Sequence, residues 1–81
     1  MNTERIQLKG QLAEAKSKFK HLDIEASGLI ILIRSLLNPF EENTLKLEVE
    51  KASAAFTRLQ AVFEEMKTLN EKIQKLEDYL G

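Results

Sequence analysis

The side chains of this chain that could do chemistry are few, and they do not cluster. His21 is the single imidazole, cysteine is absent, and neither Glu-x-x-His nor His-x-x-x-His occurs, so no metal-ligand spacing is present. His21 stands two positions from the apolar Phe19 with Glu25 one helical turn on, which predicts a solvated side chain and not a ligand or general base. Gly10, Gly28 and Gly81 are isolated, so there is no glycine-rich loop to cradle a phosphate. No base stands beside a nucleophile at a spacing that implies catalysis. The expectation is a non-enzyme with no catalytic, cofactor-binding or metal-binding residues.

Basic residues form the one polar pattern. Arg5, Lys9, Lys16 and Lys20 fall within a narrow arc of a helix, a stripe that could contact nucleic-acid phosphates. Against that reading stand a formal net charge of −1 and the lack of an arginine and aromatic surface for base stacking. Interhelical ion pairs are the favoured explanation, with Lys16 expected near Glu65 and Arg5 near Glu77. Glu14 with Lys18, Glu42 with Lys46 and Glu71 with Lys75 read as surface pairs within one helix.

The elements that carry these residues are legible from periodicity. Leu8, Leu12, Ala15, Phe19, Leu22, Ala26, Leu29, Ile33 and Leu36 alternate gaps of four and three, an unbroken heptad seam. Leu45, Val49, Ala52, Phe56, Leu59, Phe63 and Met66 repeat the rhythm, and after one three-residue skip the series passes to Leu69, Ile73, Leu76 and Leu80. Between the series lies Asn38-Pro39-Phe40-Glu41-Glu42-Asn43-Thr44, with the only proline. Proline forces Asn38 out of the helical region, and Asn38 can then cap a short turn, leaving Asn43 or Thr44 to cap a second helix. The spacing predicts one all-α domain over 1–81: a helix over about 3–37, a turn at 38–43 and a helix over about 44–80. Nearly equal helices on a short connection fold back into an antiparallel, coiled-coil-like helical hairpin. Pairing about the turn sets Ala26 against Phe56, Leu22 against Leu59, Phe19 against Phe63 and Ala15 against Met66.

A two-helix rod buries less of its surface than a compact body, and the sequence carries more apolar residues than one seam uses. Ile24, Gly28 and Ile31 line the far side of the first helix, while Ala55, Val62, Leu69 and Leu76 recur every seven residues beside the second seam. These seven residues are the expected oligomer interface, through which two hairpins pair as a homodimer into a four-helix bundle. A higher homo-oligomer or an unidentified protein partner would satisfy the same surface. Phe40 is the one aromatic left without a partner, either a lid on the hairpin end or an external contact.

With 81 residues, 43% of them hydrophobic, one Pro and three Gly, the chain reads as folded and regular. No apolar run approaches the ~20 residues that cross a bilayer, no signal-like N-terminus is present, and the absence of cysteine suits a reducing compartment. A soluble, cytoplasmic protein with no membrane association is the expectation.

The segment Leu29 to Phe40, Leu-Ile-Ile-Leu-Ile-Arg-Ser-Leu-Leu-Asn-Pro-Phe, and the ending Lys75-Leu76-Glu77-Asp78-Tyr79-Leu80-Gly81 resemble small helical proteins of unknown function from Mu-like bacteriophages and prophages. That resemblance implies a cytoplasmic, phage-encoded accessory protein that acts by binding. In length and in its proline-containing turn the chain is also similar to the needle subunits of type III secretion, which implies self-assembly. It has one proline where that pattern has a pair.

Overall fold

In a computed structural model, which describes residues 2–81, the chain is a helical hairpin about 65 Å long and 15 × 14 Å across. Helix α1 spans Asn2–Leu36 and helix α2 spans Val49–Leu80, packed side by side and antiparallel. There is no strand among the described residues.

Every expected seam position of α1 is turned inward. Ala15, Leu22 and Ala26 are buried, and Leu8, Leu12, Phe19, Leu29, Ile33 and Leu36 are half-buried. The seam of α2 is different from the expected one. It runs Ala52, Ala55, Leu59, Val62, Met66, Leu69, Ile73, Leu76 and Leu80, alternating gaps of three and four with no skip. Val62 is the most buried side chain, 0% exposed, and it packs with Leu22 and Ala26 under a surround of Leu29, Leu59, Met66 and Leu69. Phe56 and Phe63, expected on the seam, are instead 50% and 55% exposed. The reason is steric. Ala52, Ala55, Leu59, Val62 and Met66 already fill the α2 side of the contact opposite Ala15, Leu22 and Ala26, so the Phe56 and Phe63 rings are left outside it. The rings occupy the next position round, at the edge of the contact.

The connection is longer than expected and begins as expected. After Leu37 closes on the Ile33 carbonyl, the Asn38 side chain accepts from the Phe40 N–H at 3.0 Å and its carbonyl accepts from Glu41 at 3.2 Å, which turns the chain around Pro39. Asn43 then caps a single 3-10 turn, Thr44–Lys46, accepting from the Leu45 N–H at 3.1 Å. That turn does not grow into α2, because Leu47 is extended at φ −71 and ψ 143. Leu47 is half-buried against the hairpin end, whereas Leu45 is exposed. The second helix therefore starts at Val49, five residues later than the sequence suggested, with Glu48 before it offering no side-chain cap. The longer connection moves the register: Glu25 with Arg58 and Lys18 with Glu65 total 83, and Lys16 with Glu77 totals 93, all beyond the expected 81 or 82.

A candidate interaction surface on one flank of the hairpin

The two edges of the seam differ in chemistry over their turn-proximal halves. Along one edge charged side chains cross between the helices. Arg58 donates from Nε and Nη2 to both carboxylate oxygens of Glu25, the Nη2 bond being 2.8 Å, and Lys18 Nζ stands 3.3 Å from Glu65. The forked guanidinium matches the carboxylate, so Glu25 is held below the ordinary carboxylate range and Arg58 is raised, in each case chiefly through this hydrogen-bonded pair. Both residues are solvated, which makes the ladder a device of register more than of stability.

The other edge is apolar over its turn-proximal half. Ile30, Phe56 and Phe63 stand at the mouth of a shallow groove floored by Ala26, Leu59 and Met66, with Asp23 and Gln60 at its rim. Ile30 is 46% exposed, Leu37 and Val49 extend the strip toward the turn, and Lys67 Nζ lies 5.1 Å from the centre of the Phe63 ring. Partly exposed aromatics in one strip are the usual composition of an interface centre. The signal for it was in the sequence: Ile30, Leu37, Val49, Phe56 and Phe63 each fall one place round from a seam position once the α2 seam is read without a skip.

The expected oligomer interface is split by this arrangement. Val62 and Ala55 are buried within the hairpin and Leu69 and Leu76 are half-buried on the same seam, so these four hold α1 to α2 and are not a free stripe. Ile24 and Ile31 are exposed on the back of α1, diametrically away from the seam, and Gly28 sits toward the ion-pair edge, where an added Cβ would meet nothing within 4 Å. Gly28 therefore makes no close helix approach within the hairpin. The expected basic stripe is likewise divided. Arg5 donates from Nη2 to the Leu80 carbonyl at 2.8 Å, and Lys16 bridges Glu77 at 3.3 Å, while Lys9 and Lys20 carry no ion pair among the described residues. Interhelical pairing of this stripe is thus present with shifted partners: Lys18, not Lys16, meets Glu65, and Lys16, not Arg5, meets Glu77. The pairs Glu14 with Lys18, Glu42 with Lys46 and Glu71 with Lys75 do not form; the intrahelical-type pairs are Glu48 with Lys51 and Glu64 with Lys67.

His21 is exposed, and among the described residues no three His, Asp or Glu side chains converge as a metal site. No described helix is long and apolar enough to cross a membrane. Phe40 is 89% exposed, so it does not cover the hairpin end. No family model, no curated protein and no solved structure matches the chain.

Proposed function

We propose that the protein is a non-enzymatic interaction module that acts as a homo-oligomer, two hairpins closing their apolar flanks on each other to form a four-helix bundle. The observation that carries this reading is the strip of Ile30, Phe56 and Phe63, half-exposed beside a seam that is already complete. In bundles each helix uses its seam positions and one adjoining position to meet two neighbours, and here the adjoining position is apolar on both helices of the same edge. A homodimer repeats the strip on both chains, so each copy supplies what the other lacks. An accessory role of this kind fits the phage-encoded proteins that the segment Leu29 to Phe40 resembles, and a cytoplasmic location belongs to the same reading. Sedimentation equilibrium across a hundredfold range of concentration tests it. The expected result is a mass of twice 9.3 kDa at the upper end, reduced toward one chain by Phe63→Asp and left unchanged by Ile31→Asp. A helical species that stays at 9.3 kDa throughout would overturn it.

A further inference from the structure

We propose that Asn70 and Glu77 decide which face of α2 meets α1, and so keep the phenylalanine flank on the surface. This holds for a single hairpin and does not rest on the self-pairing proposed above. Helix α2 carries three neighbouring columns of side chains, each repeating every seven residues. The middle column, Ala52, Leu59, Met66, Ile73 and Leu80, is apolar throughout and turned toward α1. On one side of it Ala55, Val62, Leu69 and Leu76 complete the observed seam. On the other side run Val49, Phe56, Phe63, Asn70 and Glu77, all exposed. As far as Met66 both outer columns are apolar, and the phenylalanine column has the larger side chains. A roll of α2 by one column, about 50°, would carry Phe56 and Phe63 into the contact and keep the middle column there.

What opposes the roll lies in the last third of the helix. It would bring Asn70 and Glu77 against α1, whose seam is apolar from Leu8 to Leu36. A carboxylate placed there is stripped of water, whereas Glu77 now lies half exposed with Lys16 Nζ 3.3 Å away. The same roll would draw Arg58 and Glu65 away from Glu25 and Lys18 on the opposite edge. Those pairs are solvated and weak, so the two polar residues of the outer column are the stronger constraint. In the rolled packing Ser53, Gln60 and Lys67 would stand where the rings now do, and the flank would be polar. Two residues outside the groove thus hold the rings at its mouth.

Exchanging neighbours tests this without changing composition. The variant Leu69→Asn, Asn70→Leu, Leu76→Glu, Glu77→Leu moves the polar pair from the outer column to the seam column, and it folds as a hairpin with α2 rolled. The chain has no cysteine, so Ala55→Cys and Val49→Cys, introduced one at a time with both phenylalanines kept, report each column by the rate of thiol alkylation. In the parent sequence position 55 is protected and position 49 reactive, in line with the 8% exposure of Ala55 and 54% of Val49. In the exchanged variant that order reverses. The Glu25 carboxyl, titrated by NMR, gives a second reading: held below the ordinary range by Arg58 in the parent, it returns to that range in the exchanged variant. A milder variant, Asn70→Leu with Glu77→Leu, leaves the observed seam intact and only lifts the constraint, so Ala55→Cys gains reactivity in it. An exchanged variant that keeps the parent order of reactivity, or has no helical fold, would overturn the proposal. So would unchanged protection of Ala55→Cys in the milder variant.

Discussion

Val62→Ala and Phe56→Ala together test which residues form the inner contact. Val62 is wholly buried between Leu22 and Ala26, so the substitution removes two carbons from water-free surroundings, about 1.6 kcal/mol at ~0.8 per methylene, and the rigid helices leave part of the space unfilled. A total loss of about 2 kcal/mol lowers the melting temperature of a chain this size by on the order of 10 °C. Phe56 is half-exposed in the single hairpin, so its truncation costs that hairpin about 1 kcal/mol or less. Its remaining contribution comes from a second copy and grows with concentration. Urea titrations followed by circular dichroism at several concentrations separate the two. The Val62→Ala loss is the same at every concentration, and the Phe56→Ala loss is smaller at the lowest and rises. Had the seam run through Phe56, its truncation would cost about 3–5 kcal/mol and Val62→Ala almost nothing. A larger loss for Phe56→Ala in dilute solution would refute the seam described above.

Three more outcomes follow from the same geometry. Ala52→Leu forces a larger side chain into the alanine-lined contact and destabilises the hairpin by about 1–3 kcal/mol, read from the same titrations. Gly28→Ala faces open space and stabilises by about 0.5–1 kcal/mol without changing the oligomer mass; a loss of association on analytical ultracentrifugation would return Gly28 to the interface. The folded-state pKa of Glu25 is depressed, so its contribution is present above the ordinary carboxylate range and fades as pH falls through the depressed value; melting temperatures of Glu25→Gln from pH 7 to 3 accordingly show a shallower acid decline than the parent chain.

How much of this was legible in the sequence differs between the two helices. In α1 all nine expected seam positions face inward, because its large and small apolar residues agree on one rhythm and its one phenylalanine, Phe19, falls on it. In α2 two rhythms overlap. One passes through Phe56 and Phe63 and needs a skip at Met66; the other passes through Ala55 and Val62 and needs none. Weighting residues by size selects the first, and unbroken spacing selects the second. The second won because its unbroken spacing keeps one face of α2 against α1 along the whole helix, which a rhythm with a skip does not. The turn was legible at Asn38 and Pro39, where chemistry is local. It was not legible at Leu47, whose extended backbone is set by how the loop packs on the end of the rod. The interaction surface was obscured by the same choice of rhythm, since assigning the phenylalanines to the core removed them from the surface.

The clasp between Arg5 and the Leu80 carbonyl bridges residues 75 apart in sequence and joins the start of α1 to the end of α2 at one end of the rod. Mechanical load applied across those two ends would act perpendicular to the helices, peeling side-chain layers apart in succession from the clasp toward Pro39. Pulling between the clasp and Pro39 would instead stretch both helices lengthwise, with every layer resisting at once. The molecule is thus anisotropic under tension, weak as a zipper and strong as a strut, and which behaviour it shows depends only on where it is held.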